Sequence, residues 1–592
     1  MVSVQPRPWP KPSGVVVAAV RKKYARRPAP LAVQIRDRLG DLFPDTEFAA
    51  AYHERGRPGW SPGRLSLVSV LQKAENMTDR QAADAVRVRL DWMYALGLDL
   101  DDPGFDHTVL SEFRARVVEH GAQEKVLDLL LARLVAEGLL GAGGKQRTDS
   151  THVVSAVRDL NRLELAGESV RACLEALAAA APGWLAGVVD VPGWTGRYGA
   201  RVDSWRLPAS EAKREELALA YARDGYALVE ACARADAPAW VREVEAVDVL
   251  RVMLLQNYTR TITEAGTEVT RRDAERHGLP PGRFRLSSPY DTDARWGAKR
   301  DTFWNGYKIH LTETCDGGDT AGGDDHAGCR PEPASPAKSE SGSEHRRRPA
   351  RPNLITNVAT TDATVPDSVM TQPIHDALNR RNLTPAEHYV DSGYPSAKLV
   401  TDAYRNHGIA LVSPMLADTS RQARAGTGFD AAAFTIDWVA QQVTCPQGQA
   451  SASWSPASQR GTEAIVVKFP ASACGPCPVR DQCTTATRGG RQLSLKPHAL
   501  HQTLQANRAE QDTAPWQARY AIRAGVEGTM HQAIAVTGTR NARYKGLAKT
   551  HLEHVYSAVA LNLIRLDAWW NDHPLDRRRT SHLARLELAL AA

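Results

Sequence analysis

A chain of 592 residues, 43% hydrophobic and 24% charged, has the composition of a globular protein with several domains. It has no run of eighteen apolar residues and no signal-type apolar region, so neither a membrane span nor secretion is expected. Eight cysteines do not make a disulfide scaffold at this length, and the expected compartment is the reducing cytosol. The net charge of +6 says less than its distribution: no Asp or Glu precedes Asp37, while Arg7, Lys11, Arg21, Lys22, Lys23, Arg26 and Arg27 all do. Residues 1–30 are therefore expected to be a basic, proline-rich, disordered arm. Such an arm suits a polyanion such as nucleic acid, or is simply a solvated tail.

Residues 31–140 carry helix start signals. Ser61 before Pro62 is an N-cap with proline in the first turn. "MTDRQAADAVRVRLDWMYALGL" opens with Thr78 and Gln81 at capping-box spacing, and Ala82, Ala83, Val86 and Leu90 form an apolar stripe. Arg80, Arg87 and Arg89 are left outward. Thr108 supplies a further cap. Short helices with arginines on the free face suit a helix-turn-helix-like DNA-binding domain, and equally an ordinary bundle.

Asp149 in "KQRTDSTHVV" precedes a β-branched run. Residues 155–285 read as a helical scaffold without evident chemistry, in which Cys173 and Cys232 are packing residues. "WNGYKIHLTET", containing Lys308, and "NLITNVATTDA" read as strands. The stretch between them, about 315–352 and including Cys315 and Cys329, is Gly, Pro, Ser and charge, and is expected to be a disordered loop. "EHYVDSGYPSAKLV" reads as strand, turn and helix, with Ser396 as cap and Gly408 as terminator. That unit would present Asp391 at the carboxyl end of a strand, where ligands bind in α/β sheets.

About 135 residues separate Asp391 from Glu527, and they contain Cys445, Cys474, Cys477 and Cys483 among Gly-Pro turns. Four thiols in this setting suit a tetrahedral structural Zn²⁺; free thiols or a redox pair are the alternatives. Further on, Tyr520, Arg523 and Glu527 stand at i, i+3 and i+7 and would share one face of a helix.

Taken together these blocks resemble the DDE transposases of bacterial insertion sequences. Tyr520, Arg523 and Glu527 reproduce the Y-x2-R-x3-E spacing of one large branch. The lysine that normally follows seven residues after the Glu is Ile534 here, so its phosphate contact is either missing or supplied from elsewhere, with Arg540, Arg543 and Lys545 of "GTRNARYKG" as the candidate substitutes. "YDTDAR…GYKIHLTET", "HYVDSGYPS" and "LEHVYSAVALNLIRL" look like further segments of that family. The resemblance implies an α/β multidomain fold. An RNase H-like mixed sheet with helices on both faces would span 141–592, with a helical insertion at about 155–285 and a cysteine-rich one at about 415–515. A separate all-α DNA-binding domain would occupy 31–140.

It further implies a triad of Asp149, Asp391 and Glu527 holding two Mg²⁺ (or Mn²⁺), with Asp291 and Asp293 as rival acids. Tyr520, Arg523, Arg540, Arg543, Lys545, Lys308, Arg80 and Arg87 would contact DNA. The implied partners are double-stranded DNA, as terminal inverted repeats and target, and a second copy of the chain in a homodimer; the implied place is the bacterial cytoplasm, at the nucleoid. A catalytically decayed DNA-binding protein and a non-transposing divalent-metal nuclease are the competing functions.

Overall fold

The computed structural model describes residues 2–264, 266–315, 351–459 and 461–572. The expected disordered loop lies, except for its ends, outside the described residues, as does Cys329. The fold is mixed α/β around one large sheet. Its strands are β1 (Lys145–Val154), β2 (Arg295–Lys299), β3 (Thr302–Thr314), β4 (Ile355–Asp362), β5 (Glu387–Tyr389) and β6 (Ala410–Val412).

Spatial order runs β6-β5-β1-β3-β4, with β2 pairing the first residues of β3 as a hairpin. β3 runs antiparallel to both β1 and β4, whereas β5 lies parallel to β1, and β6 parallel to β5. The β1–β5 pairing ends at Arg147 and Tyr389. Continuing that register by two residues brings Asp149 level with Asp391, where the two strands have parted.

Several local signals hold in the fold. Ser61 caps the helix Pro62–Ala74, Thr78 and Gln81 form a reciprocal capping box, and Ser396 and Gly408 bound the helix Ala397–His407. The helix Thr108–Glu119 is a small exception. Its first turn is held by Asp106, whose carboxylate accepts from both the backbone N–H and the hydroxyl of Thr108.

The first thirty residues differ from the expected disordered arm. Gly14–Lys23 is a helix capped by Ser13, with Val16 and Val20 buried, and Trp9 is buried with its backbone N–H on Asp41. The apolar "GVVVAAV" that is too short for a signal sequence is instead a packing face. Arg21 pairs with Asp37, while Arg7, Lys11, Lys22, Lys23, Arg26 and Arg27 stay exposed.

Residues 31–140 do not form a separate core either. One continuous apolar cluster runs from Trp9 and Val16 through the N-terminal helices into the sheet and the helix Leu547–Trp570. That terminal helix is buried over nearly its whole surface, from Leu552 to Leu566, because N-terminal helices cover one side of it and β4 the other. Across this junction the ammonium of Lys73 pairs with the carboxylate of Glu553, both side chains at most 2% exposed.

The helical insertion has its own core, in which Cys173 and Cys232 are buried as expected. It also contains a β-hairpin, Tyr258–Thr263 with Gly266–Arg271, absent from the helical reading. Cys315, expected in a loop, is buried beside Tyr389, Val412 and Trp516. The cysteine-rich insertion folds as small β-sheets around Phe434, Val443, Val467 and Phe469. Its Trp438 stacks on His498 of the helix His498–Gln511, ring centroids 4.4 Å apart.

Candidate active site

Asp149 lies within β1 rather than before it, and is 8% exposed. One carboxylate oxygen accepts the N–H of Ser150 at 2.8 Å, and the other pairs with Arg523 Nη2 at 2.7 Å. Burial pushes the Asp149 carboxyl upward, against the Arg523 guanidinium, and the nearby charge of Asp391 adds to the rise. Two acids close enough to feel each other, one of them largely shut off from water, are costly without a cation. Here Arg523 supplies the positive charge.

Asp391 follows Val390, whose N–H bonds across to Val412. Its carboxylate accepts the N–H of Gly393 at 2.9 Å, and its carbonyl accepts from Ser413 Oγ. Behind the acids, Asp367 accepts from Ser150 Oγ at 3.0 Å and pairs with Lys308 at 3.1 Å. The buried hydroxyl of Tyr394 lies 2.7 Å from His310 Nδ1.

The segment bearing the third acid is not one regular helix. The helix Ala514–Tyr520 passes through a 3-10 turn, Ala521–Ala524, into the helix Gly525–Thr537. The shared face of Tyr520, Arg523 and Glu527 nevertheless survives. Arg523 Nη1 holds the exposed Glu527 at 2.9 Å, so one guanidinium joins Glu527 to Asp149. The Tyr520 hydroxyl donates to the carbonyl of Val390 at 3.1 Å, next to Asp391, and its ring stacks on Trp516. Burial raises that hydroxyl to about 12, so it stays protonated.

The fold thus gathers Asp149, Asp391, Tyr520, Arg523 and Glu527 from blocks scattered along the chain. The rival acids are placed elsewhere. Asp291 accepts from Ser155, Tyr307 and the N–H of Gly546, and Asp293 accepts the N–H of Leu547, fixing the start of the terminal helix. Both therefore hold structure.

Residues 24–116 match the family described as Transposase domain (DUF772), and residues 444–567 match the family described as Transposase DDE domain. These two matches indicate a DDE-type transposase of the insertion-sequence type. Of the expected triad only Glu527 falls inside a matched range, together with the four-cysteine segment from Cys445 to Cys483. No curated protein and no solved structure matches the chain.

Members of the DDE class use divalent metal, and three carboxylates offer the hard oxygen donors that Mg²⁺ or Mn²⁺ prefers. As they stand, no three His, Cys, Asp or Glu side chains among the described residues are drawn together closely enough to hold an ion. This applies to the four cysteines as well, so a zinc site is not supported by their placement. All four are half-buried and line one cavity. Sγ of Cys445 and Sγ of Cys474 each accept a backbone N–H, from Gln449 and Arg491, at 3.4 Å.

The basic residues expected on DNA divide sharply. Arg540 donates to Thr151 and to the carbonyl of His152, while Arg543 donates to Asn76 and the carbonyl of Met77. These two tie the loop after the Glu527 helix to β1 and to the N-terminal helices, which is not the role expected for replacements of the missing lysine. Arg87 donates to the carbonyls of Pro103 and Phe105, and Lys308 to that of Val365. Arg80 and Lys545 are exposed, the Lys545 ammonium lying over the Tyr290 ring.

Sequence reading missed Arg147, Glu313 and Asp367. A charged residue inside a strand two positions from a catalytic candidate was the available signal for Arg147. Among the described residues no helix is long and apolar enough to cross a membrane.

Proposed function

We propose that this transposase binds the terminal inverted repeats of its element and catalyses metal-dependent DNA cleavage and strand transfer through Asp149, Asp391 and Glu527. The observation that carries this is the Arg523 guanidinium, which pairs with Asp149 of β1 and with Glu527 of a distant helix while Asp391 stands level with Asp149. The sheet order, with β1 flanked by antiparallel β3 and parallel β5, supports an RNase H-like reading. The three carboxylates would hold the divalent ions. When bound, those ions activate the attacking oxygen and neutralise the phosphate. Tyr520 and Val390 fix the approach of the two segments. Arg523 would turn from the acids to a DNA phosphate once the ions are held.

Binding itself is assigned to the exposed Arg7, Lys11, Lys22, Lys23, Arg26, Arg27, Arg80 and Lys545. Contacts of this kind release counterions, so the affinity for repeat DNA should fall linearly in log–log form with salt, by about 0.9 per phosphate neutralised. A gel-shift series at rising salt on wild type and an Arg26→Ala/Arg27→Ala variant reads that slope, which should become shallower in the variant. The proposed assembly on DNA is a homodimer that pairs two ends, in the bacterial nucleoid.

The deciding experiment is incubation of the protein with DNA carrying its gene's flanking repeats, with Mg²⁺ and a target plasmid. Joined products support transposition, and cleavage without joining supports the nuclease reading. Binding with neither supports a decayed DNA-binding protein, the reading that Ile534 favours.

A structural Zn²⁺ on Cys445, Cys474, Cys477 and Cys483 is a further part of the proposal; it rests on the four thiols lining one cavity, and the ion would have to draw the sulfurs together from where they stand. Purified protein should then contain about one zinc per chain. Cys477→Ser should lose it and lower the melting temperature, because binding of structural zinc is folding free energy. Unchanged metal content in that variant would defeat this assignment.

A further inference from the structure

Beneath the proposed site lies a buried ionic knot that no catalytic role has absorbed. Glu313, at the end of β3, is 0% exposed, and Arg147, two residues before Asp149 on β1, is 4% exposed. Arg147 Nε pairs with Glu313 Oε1 at 2.8 Å. The other carboxylate oxygen of Glu313 accepts from Thr529 Oγ1 at 2.5 Å and from Arg565 Nη1 at 2.8 Å. Arg565 also donates to Thr529 Oγ1 and to Gln532, both on the Glu527 helix. One carboxylate therefore gathers the Asp149 strand, the Glu527 helix and the terminal helix.

The link to the acids is direct. Arg147 Nη1 donates to the carbonyl of Ile522 at 2.6 Å, and the next residue, Arg523, reaches back to Asp149. Strand and turn thus exchange arginines, each donating one to the other across the same seam. Arg147 also occupies the space beside Gly525: a Cβ at that position would lie 2.0 Å from Nη1. Gly525 has ordinary helical φ, so the seam itself, and not backbone strain, requires the missing side chain.

We propose that Arg147, Glu313 and Gly525 are positioning residues that set the spacing of Glu527 from Asp149, and so the affinity of the centre for its divalent cation. This rests on the triad reading above. A charge pair costs more to bury than two apolar side chains of the same size, so stability alone is a poor reason for Glu313 to be here. Geometry is a better one. A fork of fixed N–H directions on a rigid strand defines where a turn can sit, whereas apolar packing leaves it free to slide.

The test uses Arg147→Lys, Glu313→Gln and Gly525→Ala in the full chain. Arg147→Lys keeps the charge but cannot reach Glu313 and Ile522 together. Gly525→Ala displaces the guanidinium but removes neither charge, so Glu313 keeps Arg565 while the helix gains propensity. For each we would measure the melting temperature, the dissociation constant of Mn²⁺ on DNA-free protein by electron paramagnetic resonance, and the Mg²⁺ needed for half-maximal cleavage. The expected result in folded variants is roughly tenfold weaker Mn²⁺ binding, with the Mg²⁺ requirement raised in parallel and the gel-shift unchanged.

Wild-type Mn²⁺ affinity in folded variants would overturn the proposal, provided Asp149→Ala loses the ion. Unfolding of all three variants would also overturn it, since the knot would then be a stability element. If Asp149→Ala itself binds Mn²⁺ normally, the triad reading fails instead.

Discussion

Replacing Asp149, Asp391 or Glu527 with Ala should remove Mg²⁺-dependent cleavage of repeat DNA while leaving the protein–DNA complex intact. The loss should exceed about 100-fold, the upper range for residues that merely support metal ligands. Binding should persist because the exposed arginines and lysines of the N-terminal region and Lys545 are not part of the acid cluster. Removing a carboxylate also eases repulsion with phosphate, so a slightly tighter complex is consistent with the same scheme. Ca²⁺ should support the complex but little cleavage, since its longer, looser coordination suits in-line displacement poorly.

A gel-shift and a cleavage assay on the same three variants decide the matter. Wild-type cutting by Glu527→Ala alone would move the third ligand elsewhere. Asp367, which already faces Ser150 and Lys308 beside the other two acids, would then be the next residue to test.

The second large effect concerns stability. Glu553→Gln should cost about 3–5 kcal/mol, because it strips the partner from a buried ammonium at the junction of the N-terminal helices and the terminal helix. Adding Lys73→Met should recover most of that loss, since the buried ammonium is then gone and Arg543, also 3.9 Å from Glu553, is partly exposed and keeps its bonds to Asn76 and Met77. The backbone N–H of Arg543, which Glu553 accepts at 2.9 Å, also keeps an acceptor in the amide oxygen that Glu553→Gln introduces. Urea unfolding of the single and double variants measures both terms, and equal losses in the two would show that the charge pair is not what matters.

The pH dependence has a definite sign. Burial pulls the Lys73 ammonium down to about 8 from 10.5, with Glu553 opposing the fall. Between those values the unfolded chain binds more protons than the folded one, so this group's contribution to stability rises with pH across that window. The rise should be missing from the double variant.

Much of this protein was legible in the sequence because it depends on neighbours a few residues apart. Ser61, Thr78 with Gln81, and Ser396 with Gly408 mark helix ends through bonds made within one turn. The Y-x2-R-x3-E spacing likewise placed Tyr520, Arg523 and Glu527 on one side, even though a 3-10 turn interrupts the helix. What the sequence could not show is where long side chains end. An arginine's stem lets its head go to DNA, to a carboxylate or to a carbonyl on a distant strand with nearly equal ease.

Arg540 and Arg543 look like phosphate ligands in a basic string, yet they bond to β1 and to Asn76 and Met77. Arg147, which the sequence reading passed over, is buried against Glu313. The N-terminal helices read as a separate domain because their own apolar stripes are complete. Only the terminal helix, apolar around its circumference, required a second layer to cover it, and that demand joins them to the sheet in one core. Residue type and local spacing therefore determined the caps and the shared side of Tyr520, Arg523 and Glu527, and pointed to the family. Which charges meet, and across which seam, was decided by burial, because a charge withdrawn from water must find its partner wherever the fold supplies one.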